Sequence, residues 1–444
     1  MNGSGKNSMA KAFVNLWGRN IGVVYQESVD SPCIFQYTPE FVSSQIEVSP
    51  LMMPLSYTPY SFPMLNKESF SLLPGLLADS LPDRFGNAMI DAYLQSKNSG
   101  ENFFTAIEKL CYMGTRGMGA LEYEPTIDDN TQSHNHVDID NLVNLANDVL
   151  NKKKKIRGSL SDIINVGTSA GGARAKAIVA FNEKTNEFRS GQFENNQDYT
   201  YWIIKLDGVN KNLEQYNQAK DFTRIEYAYS LMAKESGIEM SECRLYPLGD
   251  RYHFMTKRFD RYVDKNNKVQ KYHMQSLAAL YHLDYNSPFT FSYEMTAQVM
   301  RLLKLTQKEI EQFYRRMIFN VLAINKDDHV KNISFLMDKT GKWRLSPMYD
   351  ATYAYEKDHQ WISHHQMLIN GKKDDFNLDD LLATADKMNI QKTKAKKIIH
   401  EVTLAVNKFP IFAKKVQLSE KTVKAITAEI NNVRAMLEQD SKNI

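Results

Sequence analysis

Residues 321–355 read VLAINKDDHVKNISFLMDKTGKWRLSPMYDATYAY, and the reading of this stretch decides the fold. Asp327 and Asn332 stand in a D-x-x-x-x-N arrangement. The apolar run ISFLM follows as a strand, a turn falls at Asp338 to Gly341, and Asp350 lies beyond the second strand of the pair. Oxygen donors at such spacing suit a hard cation that bridges phosphates, and a carboxylate beside them can accept the proton of an attacking hydroxyl. His329 and Lys331 share the loop and can neutralise or position phosphate oxygens. Taken alone, KDDHVKN also reads as a solvated turn between a helix and a strand. The apolar strand directly after it and the acidic residue beyond the hairpin shift the reading towards phosphoryl transfer.

The order Asp, Asn five residues on, then Asp after a hairpin is that of protein-kinase catalytic segments, with Asp327 as the base, Asn332 and Asp350 as Mg²⁺ ligands and ATP as the donor. Upstream, residues 166–176 read VGTSAGGARAK. In this Gly-rich loop Gly171, Gly172 and Ala173 are small enough for backbone N–H groups to close on a phosphate, and Arg174 and Lys176 add positive charge at its exit. The Walker order G-x-x-x-x-G-K-[ST] is absent from it, and GSGKNS from Gly3 has no strand before it. Lys205 ends the apolar strand YWIIK, and a helix bearing Glu226 follows. A strand lysine on the nucleotide phosphates, steadied by a helix glutamate, is again the kinase arrangement. An ordinary strand-end lysine and an unrelated helix glutamate are the alternatives.

Composition narrows the class. The 444 residues are 43% hydrophobic and 24% charged, which fits a globular chain of about two or three domains and excludes disordered, collagenous and disulfide-scaffold classes. With 23 Tyr and 22 Phe there is apolar surface for more than one core, so no metal or disulfide staple is required. A net charge of +3 neither demands nor excludes nucleic acid or an anionic membrane. Cys33, Cys111 and Cys243 are widely spaced with no C-x-x-C, which predicts small buried hydrophobes in a reducing compartment. No apolar run approaches the roughly 20 residues of a membrane span. The polar leader from Met1 to Met9 lacks the apolar stretch of a signal peptide, so a cytoplasmic protein with no membrane partner is expected. Lys152 to Lys155 reads as a solvated helix end. His134 and His136, near Asp128, Asp129 and Asp138, read as a polar loop in preference to a metal site, and the adjacent His364 and His365 should point apart.

Periodicity sets the organisation. KAFVNLWGRNIGVVYQ predicts a hairpin around Gly18 to Asn20, CIFQYTPEF another strand, and the stretch after Pro82 two helices, DRFGNAMIDAYLQS and GENFFTAIEKLCYMG. Next come a helix at IDNLVNLANDVLNKKKK, strands KAIVAFN, EFRSGQ and YTYWIIKLDG, a helix from Asp221 to Gly237, and one more strand, DRYHFMTKRFDR. Helices are then expected from Met274, Ser292, Thr306, Leu378, Lys392 and Ser419, interrupted by two short strands near Ile333 and Trp343.

Six ordered motifs, SLPDRFGNAM from Ser80, GTSAGGARAK from Gly167, YWIIKLDG from Tyr201, KRFDR from Lys257, KDDHVKN from Lys326 and MYDATYAY from Met348, make the chain resemble the HipA family of bacterial toxin kinases over most of its length. The resemblance implies an α+β, protein-kinase-like bilobal fold with an N-terminal β-rich subdomain (1–125), an ATP-binding lobe (126–262) and a helical C-terminal lobe (263–444). It implies autophosphorylation of Ser169, which would bring about two negative charges into a phosphate-cradling loop and inactivate the kinase. It also places Lys205 on the ATP phosphates and Lys257 and Phe259 at the adenine hinge. Asp327 is then the catalytic residue, with His329, Lys331 and Asn332 around the nucleotide and Asp350 on Mg²⁺. The implied activity is Ser/Thr phosphorylation of a protein, in some members an aminoacyl-tRNA synthetase. The implied partner is a dimeric helix-turn-helix antitoxin, HipB-like, through which DNA is bound. A small-molecule or lipid phosphotransferase and an inactive kinase-like corepressor are the alternative readings. Asp328 and Ala175 stand where family members often carry Gly and Pro.

Overall fold

Alternating burial along Lys11–Leu16 (β1) sends Ala12, Val14 and Leu16 inward, as a half-buried strand requires. Trp17 and Gly18, both at positive φ, form the two-residue loop into Arg19–Tyr25 (β2), pairing Leu16 with Arg19. In the computed structural model the described residues are 11–82, 86–87, 90, 105–127, 136–151, 174–193, 195, 198–209 and 221–439. They divide into two units. The first comprises Met1–Asn212, Lys257–Asp284 and Leu336–Lys342, and the second Leu213–Thr256, Tyr285–Phe335 and Trp343–Ile444.

In the first unit, Ile34–Tyr37 (β3), Tyr60–Ser61 (β4) and Leu121–Glu124 (β5) complete an antiparallel sheet in the order β4-β3-β2-β1-β5. The helix Ala106–Met113 packs on β1 and β5, started by a capping box in which Thr105 and Glu108 satisfy each other's backbone N–H groups. The other expected helix after Pro82 lies largely outside the described residues. The helix Ile139–Leu150 is capped by Asp138 and buries Leu142, Val143, Leu145 and Ala146. Beyond it Lys176–Asn182 (β6) is buried at every position, as a strand covered on both faces must be, and lies between Glu187–Ser190 (β7) and Thr200–Lys205 (β8).

The expected strand DRYHFMTKRFDR is in fact two. Arg251–Lys257 (β10) stops where Arg258 and Asp260 turn inward, and Arg261–Val263 (β11) restarts to pair with Val269–Lys271 (β12). The helix expected from Met274 is also corrected. His273–Ser276 is a strand (β13) with His273 and Gln275 buried, and only Leu277–Leu280 is helical, begun by the Ser276 cap.

The second unit is mainly helical. Phe222–Glu235 ends at Gly237, whose φ of +74° is the left-handed stop the glycine predicts, whereas Asp221 sits at the start without a capping bond and pairs with Arg224 instead. Cys243–Leu248 (β9) pairs with β10. The helices Tyr293–Leu302, Gln307–Leu322, Leu378–Lys387, Lys392–Val406 and Glu420–Gln439 lie where their patterns place them. A further helix, Phe409–Lys415, was hidden in the sequence by Pro410, which is tolerated in a first turn. Gln307–Leu322 is central: from Arg316 to Leu322 each residue is buried, and it packs on Lys392–Val406, Tyr293–Leu302 and Glu420–Gln439. Ser334–Met337 (β14) and Trp343–Leu345 (β15) are the two short strands, with Gly341 N–H donating to the Asp338 carbonyl at 3.0 Å in the turn between them.

All three cysteines are buried and free, and burial pushes the Cys33 and Cys111 thiols up to about 12 and Cys243 to about 11, so they pack as hydrophobes. Among the described residues no helix is long and apolar enough to cross a membrane.

Candidate active site

The central helix of the second unit ends at Leu322 with Ala323 as its cap, and Ile324 turns the chain at a φ of +57°. Two backbone bonds, Lys326 N–H to the Ala354 carbonyl at 3.0 Å and Ala354 N–H to the Ile324 carbonyl at 3.1 Å, fasten the loop that follows to the chain after Asp350. His329 then caps a single 3-10 turn, Val330–Asn332, its Nδ1 accepting from the Lys331 N–H at 3.2 Å. That turn brings Asn332 back so that its Nδ2 donates to the Asp327 carbonyl at 2.8 Å. The five-residue offset thus has a structural reason: one tight turn sets amide and acid side by side. The bond uses the nitrogen of the amide and leaves Asn332 Oδ1 as the atom able to ligate.

Asp327, Asn332 and Asp350 line one cavity, together with Asn320, Asn325 and Arg316. Asp350 has a φ of +53°, a conformation aspartate tolerates better than most residues and one common at functional positions. Tyr349, its neighbour, donates to the Lys331 carbonyl at 2.9 Å and lies 2.6 Å from Ser334 Oγ, tying this segment to the 3-10 turn. The buried Arg316 donates through Nη2 to the Ser346 carbonyl at 2.6 Å, and its burial lowers its pKa to about 10, so it stays a cation at neutral pH. His329 Nε2 is 3.7 Å from Asp327 Oδ1, and Lys331 Nζ stands 4.7 Å over the Tyr285 ring.

An all-oxygen pair of one amide and one carboxylate suits Mg²⁺, which takes few protein ligands and completes its shell with water and phosphate. No cluster of three or more His, Cys, Asp or Glu suited to a metal occurs among the described residues.

Asp328 also lines this cavity, but its carboxylate is taken up by protein donors. It is 3% exposed and accepts from the Tyr293 hydroxyl at 2.8 Å, the His365 ring at 2.9 Å and the Gln366 N–H at 2.7 Å. His364 turns to Asp374 instead, at 3.3 Å, so the two adjacent histidines do point apart.

In the first unit, Lys176 of β6 and Lys205 of β8 are direct cross-strand partners, and Leu206 N–H bonds the Ala175 carbonyl at 2.9 Å, so Arg174, Lys176 and Lys205 gather at one sheet end. Lys257 Nζ lies 5.8 Å from the Trp202 ring, and Arg258 N–H donates to the Tyr201 carbonyl at 2.9 Å, which fixes the start of KRFDR beside β8. Phe259 is half-buried between two buried charges. Arg258 and Arg261 both clasp the Asp260 carboxylate, at 2.8 and 2.7 Å, and Gly119 N–H adds a bond at 2.8 Å. Burial alone would raise the Asp260 pKa, but the two guanidiniums outweigh it and hold it well below the usual carboxylate range. Sequence reasoning missed this network, since a motif of five residues does not say which of its charges point inward.

Ser169, Gly171, Gly172 and Ala173 lie outside the described residues, as do Lys152 to Lys155, His134, Asp128 and Asp129. Glu226 is buried on Phe222–Glu235 in the second unit.

Comparison with known proteins defines the class. Residues 168–409 match the family model described as the HipA-like C-terminal domain, and residues 12–124 match the HipA N-terminal domain. The chain belongs to the HipA family. It is similar in structure to a chain of the Shewanella oneidensis MR-1 toxin–antitoxin complex of HipA, HipB and operator DNA, with a TM-score of 0.65, 15% identity, and coverage of 96% of this chain and 97% of that one. At that identity the likeness shows the fold, the α+β kinase-like type expected from the sequence. The Helicobacter pylori proinflammatory kinase CtkA aligns at 12% identity over 60% of this chain and 90% of its own, with a TM-score of 0.35, too low to carry an argument.

Proposed function

We propose that the protein is an Mg-ATP-dependent serine/threonine protein kinase acting as the toxin of a toxin–antitoxin pair. The observation that carries this reading is the meeting of Asp327, Asn332 and Asp350 on one cavity of a HipA-family chain. Asp327, its side chain 44% exposed, takes the proton of the acceptor hydroxyl as that oxygen forms its bond to the γ-phosphorus and the bond to the ADP oxygen breaks. Asn332 Oδ1 and the Asp350 carboxylate would hold the metal, and His329 and Lys331, at the 3-10 turn, would face the phosphate oxygens. When bound, Mg²⁺ supplies charge neutralisation of the phosphates. Lys205, with Arg174, Lys176 and the loop through Gly171, Gly172 and Ala173, receives the triphosphate, and Lys257 and Phe259 flank the adenine. Ser169 in that loop is the autophosphorylation site, and the external target is a protein of translation, of the aminoacyl-tRNA synthetase class. The solved relative was captured with HipB and operator DNA, which supports a helix-turn-helix antitoxin as partner and DNA contact through it.

The test is intact-mass measurement of the purified chain after incubation with Mg-ATP. One added phosphate mapping to Ser169 is expected, and Asp327→Gln should slow its appearance by about 10²–10⁴-fold. Absence of phosphate on the wild-type chain and on every host-lysate protein would refute the reading. Label entering a metabolite instead would favour a small-molecule phosphotransferase.

A further inference from the structure

Lys326, Asp327 and Asp328 are consecutive, yet the outer two are buried at 8% and 3% exposure while Asp327 faces outward. Both buried neighbours bind the same stretch of chain. Besides its backbone bond to Ala354, Lys326 donates through Nζ to the Ser363 carbonyl at 3.1 Å and to the Asp374 carboxylate, and stands 4.5 Å over the Tyr355 ring. Asp328 takes the Gln366 N–H on Oδ1 and the Tyr293 hydroxyl and His365 Nδ1 on Oδ2. A carboxylate only accepts, so the bond places the proton on His365 Nδ1. The Tyr293 oxygen in turn accepts from Asn320 Nδ2, and Asn320 Oδ1 from Asn325 Nδ2, each at 2.9 Å, closing a chain of polar contacts back to the residue before Lys326. The stretch they grip is held in its own right, by His365 N–H to the Lys373 carbonyl at 3.1 Å and Phe289 N–H to the Gln366 carbonyl at 2.9 Å.

We propose that Asp328 is a positioning residue for the phosphoryl-transfer reaction: with Lys326 it clamps the loop carrying Asp327 onto residues 354–374, so that the chain following Asp350 holds the reactive carboxylate in register with the metal ligands. The inference rests on Asp327 being the catalytic base. A buried carboxylate with three donors leaves all three unpaired when it is removed, and the loop is then free to settle elsewhere. A displacement of about 1 Å at a reacting group is enough to slow the chemistry by roughly 10²-fold.

The experiment compares wild-type full-length protein with Asp328→Ala, Asp328→Asn and His365→Gln by steady-state ATP turnover, ATP binding, thermal melting and amide hydrogen exchange. Asp328→Ala should lower kcat by about 10–100-fold while KM for ATP stays within about threefold. Asp328→Asn, whose Oδ1 still accepts from Gln366 N–H, should recover part of the loss. Exchange should rise together at residues 327–332 and 363–368 and not across the rest of the second unit. Unchanged kcat in Asp328→Ala, or loosening spread over the whole unit, overturns the proposal. If Asp328→Ala does not fold, Asp328→Asn and His365→Gln decide it, each with a smaller kcat loss expected and the same paired exchange signature; wild-type kcat in both refutes it. If the wild-type chain itself transfers no phosphate, the kinase reading fails, and Asp328 loses its assigned role in catalysis with it. The exchange pattern alone then reports whether the clamp exists.

Discussion

Replacing Asp260 with alanine tests whether the KRFDR segment is held by its internal charges. The carboxylate is fully buried and receives Arg258 through Nε at 3.0 Å and Nη2 at 2.8 Å, Arg261 through Nη1 at 2.7 Å, and the Gly119 N–H at 2.8 Å. The two guanidiniums also donate to the Gly117 carbonyl, at 3.2 and 3.1 Å, so the network ties the motif to the loop before β5. Removing the anion leaves two buried cations facing each other, a situation that costs about 3–5 kcal/mol. With a urea slope of about 2 kcal/mol per M, the midpoint should fall by about 1.5–2.5 M. A chain of two units need not melt in one step, so the assay needs a local probe. Trp17, whose indole donates to the Lys271 carbonyl at 2.7 Å, and Trp202 report the first unit, and Trp343 and Trp361 the second. A variant keeping only Trp17 and Trp202 should show the full shift. Movement of the midpoint by less than about 0.5 M, or a shift seen only by Trp343 and Trp361, would refute the reasoning, because a paired charge that can be deleted so cheaply is not what fixes the segment.

Three further outcomes are expected. Burial lowers the His273 pKa from 6.5 to about 4, so the folded state stays neutral where the unfolded chain takes up a proton. Its contribution is fully present above pH 6.5 and lost as pH falls towards 4, about 3 kcal/mol over that window, and His273→Gln should flatten the fall in melting temperature between pH 7 and pH 5. Glu309 closes the capping box on Thr306 and also accepts from the Leu345 N–H at 3.0 Å, so Glu309→Ala should cost about 1–2 kcal/mol in urea unfolding of the second unit. Lys205→Met should lower kcat/KM for ATP by about 10²–10³-fold with the melting temperature little changed, as removal of a charge aimed at phosphate would do.

How much of this was legible depended on the kind of constraint. The helices starting after Ser292 and Thr306 were readable because cap and period agree: each hydroxyl accepts from a backbone N–H of its own first turn. β5 is four residues long and β9 carries Pro247, so neither offered a strand signal strong enough to compete with its surroundings. The helix expected from Met274 failed because a short apolar run has no period of its own, and the strand there buries its polar His273 and Gln275 while leaving Met274 half-buried, the reverse of what polarity alone predicts. The site motifs were found from residue type and spacing. What those cannot supply is direction: Asp327 and Asp328 are the same residue type, side by side, with opposite fates.

Direction is, however, set by a rule the motifs share. In KDDHVK, Lys326, Asp328 and Val330 are buried while Asp327, His329 and Lys331 are half-buried, and in KRFD, Arg258 and Asp260 are buried while Lys257 and Phe259 are half-buried. A period of two is what extended chain imposes, and it gives Asp327, His329 and Phe259 an anchored residue on either side; the alternation ends in the 3-10 turn Val330–Asn332, where Lys331 and Asn332 are both half-buried. The anchors are not apolar by default. Lys326, Asp328, Arg258 and Asp260 are charged, and each is matched inside by a specific partner, where one of the wrong length or sign would leave a buried charge unpaired. Charge makes the anchors position-specific in a way a packed leucine is not. It follows that much of the identity of these motifs is dictated by the side facing away from the reaction. A substitution series that reads every charged residue in them as catalytic would misassign about half.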